Sequence, residues 1–106
     1  MYKYSEEEIL SDVKAYILST YGQHYQSKSI QLIDLFASED MIVEYLKTSI
    51  MRYVLRYGKK ADENKNPYNV KDLFKAIHCI ILLIHFTRTT FTSPELLLEN
   101  NEHENI

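Results

Sequence analysis

The stretch that decides the fold is Val70-Lys-Asp-Leu-Phe-Lys-Ala-Ile-His-Cys-Ile-Ile-Leu-Leu-Ile-His-Phe86. The longest run without Asp, Glu, Lys or Arg extends from Ala76 to Thr87 and is twelve residues long. A helix that crosses a bilayer needs about 20 apolar residues. Asn69 precedes it as a capping residue, and Asp72 suits the third helical position. The sequence therefore predicts a helix over about 70–88 that is buried in the protein.

Apolar residues surround this predicted helix almost completely. One face combines Leu73, Phe74, Ile77, Ile80, Ile81 and Ile84. The other sides carry Cys79, Leu82, Leu83 and Phe86. Such a helix is central in its fold, or it also faces a partner subunit, so we expect a homo-oligomer, either a dimer or a higher assembly.

The composition of the whole chain favours helices. Of its 106 residues only 2 are Gly and 2 are Pro, while 45% are hydrophobic. Strand-rich domains need many turns, which these two residues usually make. We therefore predict an all-α fold: a compact bundle of four main helices plus a short C-terminal helix. Residues 1–100 form a single domain in this prediction, and residues 101–106 form a flexible acidic tail.

Helical spacing and end signals locate the other helices. They are predicted over residues 6–21, about 28–37, about 39–57 and 94–100. Ser5 and Glu8 form a capping box at the first, and Gly22 follows its end. Ser38 is expected to cap the third, and Gly58 to stop it. The predicted core stripe of the third helix is Val43, Leu46, Ile50, Tyr53, Val54 and Tyr57.

Charge is distributed unevenly along the chain. The formal net charge is −3, which makes a general nucleic-acid binder unlikely because such proteins are usually basic. Residues 41–75, however, hold eight Lys or Arg residues and four acidic ones. The N-terminus lacks the basic and apolar regions of a signal peptide, so we expect a cytoplasmic protein without a membrane segment.

The third helix carries the most informative surface. At 100° per residue, Arg52, Arg56 and Lys59 lie on the side opposite Ile50. Tyr45 and Ser49 share that side, and Lys60 continues it into a polar loop over 59–68. Guanidinium and ammonium groups suit a phosphate, and a neighbouring aromatic ring can stack on a base. The alternative is a solvated helix face with extended basic side chains.

Histidine and cysteine give weaker signals. His24-Tyr25 lies in a polar connection, where it could bind phosphate or serve as an aromatic plug between helices. His78 and His85 are seven residues apart, about 10 Å along a helix, which is too far to share one metal ion. Cys79 is the single cysteine and reads as a small buried hydrophobe.

No motif for a known catalytic or metal site is present. Two glycines cannot build a phosphate-binding loop or a dinucleotide motif. The Gly-x-Ser-x-Gly elbow of hydrolases is missing, as are the paired Glu-x-x-His motifs of di-metal bundles. We therefore expect no metal site and no cofactor, although Mg²⁺ could arrive with a nucleotide ligand.

Four short motifs nevertheless resemble, in order, a small phage protein family of unknown function. They are His24-Tyr25, Ile30-Gln-Leu-Ile-Asp34, Ile50-Met-Arg-Tyr-Val-Leu-Arg56 with Lys59-Lys60, and Lys71-Asp-Leu-Phe-Lys-Ala76. That family is similar to part of a podovirus nucleotide kinase that lacks a Walker loop, and the resemblance covers about 24–85. The positions it marks are His24, Tyr25, Arg52, Tyr53, Arg56, Lys59 or Lys60, Asp72, Leu73 and Lys75.

The chain departs from that pattern at two positions. Arg52 stands where the family usually has Lys, and Gln31 where it often has Glu. The missing carboxylate weakens the case for kinase-type catalysis. The resemblance thus favours binding and sequestration of a nucleotide, or of a nucleotide-derived signalling molecule, over its turnover.

The resulting hypothesis is a phage-type nucleotide-binding protein that removes a host or signalling nucleotide. Its expected ligand-binding residues are His24, Tyr25, Tyr45, Arg52, Arg56, Lys59, Lys60 and Lys75. One alternative is a nucleotide kinase-like phosphotransferase that uses the same cations as an electrostatic clamp. The other is a non-enzymatic inhibitor of a host protein, with the basic face docked on an acidic surface.

Overall fold

The computed structural model of the chain describes residues 2–21, 28–59 and 65–91. Its helices are α1 (Glu6–Tyr21), α2 (Lys28–Ser38), α3 (Ile42–Arg56) and α4 (Val70–Phe86), and one π-helical turn (Thr87–Phe91) extends α4. These residues contain no strand. The all-α prediction with four main helices is therefore confirmed. The expected helix over 94–100, the tail over 101–106 and the helix-ending Gly22 lie outside the described residues.

Helices α3 and α4 form an antiparallel hairpin that is the centre of the fold. Tyr57 meets Tyr68 near the turn, and Arg56 binds Asp72 one step further along. Residue numbers thus fall along α3 as they rise along α4. Aromatic contacts attach the other helices to this hairpin: Tyr16 of α1 meets Phe74 and His78 of α4, and Phe36 of α2 stacks on Tyr45 of α3.

The core of the described residues is small. Its buried apolar side chains are Val13, Ile42, Leu46 and Ala76, and Leu46 is completely inaccessible. Three polar side chains are also buried, namely Ser49, Asp72 and His78. Short side chains such as those of Ser49 and Ala76 allow two helices to approach each other closely.

The start of α3 differs from the prediction. The helix begins at Ile42 rather than near residue 39, and Met41 stands at its N-cap without a side-chain hydrogen bond. Ser38 belongs to the end of α2, where its hydroxyl donates to the Leu35 carbonyl. Asp40 has a positive φ of 57°, which breaks the helical path between the two helices. Ser38 and the two acidic residues after it are predicted to begin α3, whereas Ser38 is the last residue of α2.

The buried face of α3 is also rotated from the predicted stripe. Ile42, Leu46 and Ser49 are buried, while Val54 is half exposed. Ser49 was expected on the outer side and Val54 in the core, so both predictions are wrong. The reason is that the side of α3 that carries the polar residues Ser49 and Arg56 faces α4.

The isoleucine face of α4 is partly exposed, so the helix is not completely buried as predicted. Val70, Ile80, Ile81 and Ile84 keep between 42% and 51% of their surface exposed. The buried residues of this helix are instead Asp72, Ala76 and His78. None of the described helices combines the length and hydropathy that a membrane crossing requires.

The turn signals around the hairpin behave as expected. Gly58 has φ +87° and directly follows the end of α3 at Tyr57. Asn69 caps α4, because its side-chain oxygen accepts a hydrogen bond from the Lys71 N–H at 3.0 Å. The capping box at the start of α1 does not form: Ser5 has a positive φ of 61°, and the Glu6 carboxylate accepts from the Tyr4 N–H instead.

Candidate functional site

Three cationic side chains converge on the ring of Tyr53. The guanidinium carbons of Arg52 and Arg56 each lie 5.1 Å from the ring centroid, and the Lys75 ammonium lies 5.6 Å from it. These distances are within the range of cation–π attraction, which the negative face of the ring produces. We refer to Arg52, Tyr53, Arg56, Asp72 and Lys75 as the Tyr53 cluster.

One of these cations is already neutralised. Arg56 donates from Nε and Nη2 to the same oxygen of Asp72, at 3.0 and 2.6 Å. Only 6% of the Asp72 side chain is exposed, against 27% for Arg56. The hydrogen bond to Asp72 raises the pKa of Arg56, which stays charged. The pair therefore fixes Arg56 beside Tyr53 but leaves it little charge to offer a ligand.

Arg52 and Lys75 are in a different position. Arg52 is exposed, and its Nη2 lies 3.5 Å from the Tyr53 hydroxyl, a marginal hydrogen bond. Neither Arg52 nor Lys75 forms an ion pair within the described residues. The cluster thus holds three cations and one carboxylate. Its excess positive charge comes from Arg52 on α3 and Lys75 on α4. The net positive charge of the cluster creates a local potential that favours an anion nearby.

The turn between α3 and α4 explains why these residues meet. Gly58 ends one helix and Asn69 caps the next, so Arg56 and Asp72 lie at similar heights near the closed end of the hairpin. One turn further from the closed end, Tyr53 and Lys75 are opposite each other. The site therefore follows from the register of the hairpin.

Tyr16 and Cys79 border the cluster on its more buried side. Burial raises the pKa of Tyr16, and the nearby Tyr53 and Cys79 raise it further. Burial also raises the pKa of the Cys79 thiol, although the Arg52 charge opposes this. Both groups are therefore neutral at physiological pH. The half-buried position of Cys79 agrees with its reading as a small hydrophobe.

The predicted ligand residues divide into three groups. Arg52, Arg56 and Lys75 come together as expected, although Arg56 is half-buried and paired rather than opposite the core. The Tyr45 ring stacks on Phe36, with centroids 4.3 Å apart. Lys59 is exposed and has no recorded side-chain contact with the Tyr53 cluster. His24, Tyr25 and Lys60 lie outside the described residues.

Two residues of the cluster were not predicted as binding residues from helical spacing. Tyr53 was assigned to the core stripe, and Asp72 was interpreted as a helix-start carboxylate. Their common signal is their distance from the two helix ends, since Asp72 follows Asn69 by three residues and Tyr53 precedes Gly58 by five. Across the described residues, no group of three His, Cys, Asp or Glu side chains could hold a metal ion.

The sequence of residues 19–80 matches DUF3310, a family of proteins of unknown function. The chain belongs to this family, and the matched region contains the whole Tyr53 cluster. The comparisons with curated proteins and with solved structures gave no match.

Proposed function

We propose that this protein binds a nucleotide or a nucleotide-derived signalling molecule through the Tyr53 cluster. The observation that carries the proposal is the convergence of Arg52, Arg56 and Lys75 on one aromatic ring with a single opposing carboxylate. A phosphate beside Arg52 and Lys75 would relieve the repulsion between these cations. The resemblance of four sequence motifs to a family that is similar to part of a podovirus nucleotide kinase leads us to expect a nucleotide as the ligand.

The proposed biological role is sequestration. Tyr16 and Cys79 are neutral groups beside the cluster, and Asp72 is engaged by Arg56, so the described residues offer no free general base there. A phage protein of this kind would lower the free concentration of a host nucleotide or defence signal in the host cytoplasm. The family match to proteins of unknown function is compatible with such a role.

Calorimetric titration with ribonucleoside mono- and triphosphates and with cyclic dinucleotides tests the proposal. We expect binding by at least one of these compounds. Arg52→Ala and Lys75→Ala should each weaken it about 10- to 150-fold, since a hydrogen bond to a charged group contributes about 1.5–3 kcal/mol. Arg56→Ala is less informative, because it would also leave the buried Asp72 carboxylate without its partner.

Matched controls are available on the same two helices. Lys47 of α3 and Lys71 of α4 are exposed and lie outside the cluster, so Lys47→Ala and Lys71→Ala should leave affinity within about twofold. Equal losses in all four variants would show a diffuse charge effect and contradict the site. Chromatography of the bound nucleotide after incubation with ATP separates sequestration, which returns it unchanged, from phosphoryl transfer.

We also propose that a second copy of the chain covers the outer face of α4. Between Leu73 and Ile84 this outer face has no charged residue, so two copies related by a two-fold axis bring no like charges together. The exposed row from Val70 to Ile84 is about 21 Å long at 1.5 Å per residue. A stable dimer usually buries about 800 Å² per partner, so neighbouring surface must join this row in the interface.

Sedimentation equilibrium of the full chain tests this assembly. We expect a dimer or higher oligomer that dissociates when Ile80, Ile81 and Ile84 are changed together to Gln. The control changes Met51, Val54 and Leu55 to Gln, since these residues of α3 are even more exposed than the isoleucines but lie away from the row. A monomeric wild-type chain, or equal dissociation by both triple variants, would contradict the proposal.

A further inference from the structure

Beside the Tyr53 cluster, the hairpin carries a second feature that the cations do not explain. Tyr57 and Tyr68 meet edge to face across the turn, with ring centroids 5.6 Å apart and an interplanar angle of 64°. Tyr57 is half-buried, whereas Tyr68 is 59% exposed. An exposed aromatic ring held against a second ring is a stacking surface with one face open to solvent.

The backbone holds this surface in place. The Gly58 N–H donates to the Pro67 carbonyl at 2.7 Å, which ties the end of α3 to the segment before α4. The Tyr68 N–H donates to the Asn66 side chain at 3.0 Å. These two hydrogen bonds fix the residues on both sides of the Tyr68 ring, so the ring position is set by the turn.

Gly58 is required for this arrangement in two ways. Its φ of +87° lies in the region that residues with a Cβ rarely adopt. A Cβ at this position would also lie 3.3 Å from Cε1 of Tyr68, closer than ordinary contact. Gly58 therefore both turns the chain and leaves room for the Tyr68 ring.

The stacking surface lies one helical turn from the cationic site. Tyr57 follows Tyr53 by four residues, about 6 Å along the helix axis, and it directly follows Arg56. One small molecule can therefore contact the Tyr57–Tyr68 pair with a planar ring while its phosphate lies beside Arg52 and Lys75. The ring contact is insensitive to base identity, because every base has a π-face.

Resting on the proposed phosphate site, we infer that the Tyr57–Tyr68 pair binds the aromatic ring of the ligand. The ligand class is thereby narrowed to phosphate esters that carry a planar heteroaromatic ring, as nucleotides do, and sugar phosphates without a base are poor ligands. This assignment places the stacking role on Tyr68, with Tyr57 as its support, rather than on Tyr45.

The test compares AMP, GMP, CMP and UMP with ribose 5-phosphate, which keeps the phosphate and lacks the base. We expect at least one nucleotide to bind at least tenfold more tightly than ribose 5-phosphate. Tyr68→Ala should weaken the affinity for that nucleotide about 5- to 150-fold, the range for loss of one base–aromatic stack, and leave the affinity for ribose 5-phosphate unchanged. Tyr68→Phe should retain the affinity, since the ring remains.

The controls separate this inference from the proposed function. Tyr2→Ala removes an equally exposed tyrosine outside the hairpin and should change nothing. If ribose 5-phosphate binds as tightly as every nucleotide, or if Tyr68→Ala leaves nucleotide affinity intact, the stacking role is wrong while the phosphate site stands. If none of the five compounds binds, the stacking role fails; the phosphate site fails with it when the triphosphates and cyclic dinucleotides do not bind either.

Discussion

The two faces of α4 contrast with each other in an unusual way. Toward α3 the helix presents a buried carboxylate, Asp72, and the amino group of Lys75. Away from α3 it presents Ile80, Ile81 and Ile84, each more than two-fifths exposed. The apolar face of a surface helix ordinarily points inward, whereas this helix places a carboxylate and an ammonium group inside the hairpin and three isoleucines outside it.

The contrast shows that the two faces serve different purposes. A carboxylate is costly to bury, and it is tolerated here because Arg56 supplies two hydrogen bonds to it. The isoleucine side chains, by contrast, form no hydrogen bonds with water, and burial against another surface would stabilise them. The inner face therefore organises the cationic site, while the outer face is the surface that we propose a second copy covers.

Loss of the inner carboxylate should have the largest effect on stability. Asp72→Ala leaves the half-buried Arg56 without its partner, and we expect the free energy of unfolding to fall by about 2–3 kcal/mol. The loss should be at the lower end of what buried pairs show, because Arg56 can turn part of its guanidinium toward water. Urea denaturation followed by circular dichroism measures it.

Glu44→Ala is the matched control for this variant. Glu44 also occupies the third position of its helix, α3, but is exposed, so its removal costs only the interaction with the helix dipole, about 0.5 kcal/mol. Equal losses in the two variants would mean that Asp72 acts through the helix end alone. In that case the ion pair would not be what holds the inner face together.

The sequence was sufficient for the elements of the fold but not for their orientation. Gly58 and Asn69 mark the ends of two helices by local backbone chemistry, and both were identified correctly. The buried side of α4 was not, because its apolar residues surround the helix and periodicity then prefers no face. The inward turn of Arg56 depends on a partner 16 residues away, which a helical-wheel projection of α3 cannot include.

The candidate site was predictable to a similar degree. Charge spacing and family resemblance identified Arg52, Arg56 and Lys75, which the hairpin brings together. The central ring, Tyr53, was read as core because it lies at core spacing with Leu46 and Ile50. Its position between two helices makes it half-buried and accessible to cations at once, and this depends on the register of the hairpin rather than on any local pattern.

A second buried polar group on α4, His78, gives the smaller and pH-dependent prediction. Its ring contacts Tyr16 and Tyr21 of α1, with centroids 6.4 and 6.2 Å away, and burial lowers its pKa below the ordinary value of 6.5. Below pH 6.5 His78 therefore binds a proton in the unfolded chain but not in the folded chain. Its contribution to the free energy of unfolding is fully present above that pH and falls as the pH drops toward the pKa of His78 in the folded protein. The slope is at most about 1.4 kcal/mol per pH unit.

Urea denaturation between pH 7.5 and about pH 5 should show this slope in the wild type, and His78→Leu should remove it. His85→Leu changes an exposed histidine on the same helix and should retain the slope; its loss in that variant instead would assign the effect to the exposed end of α4.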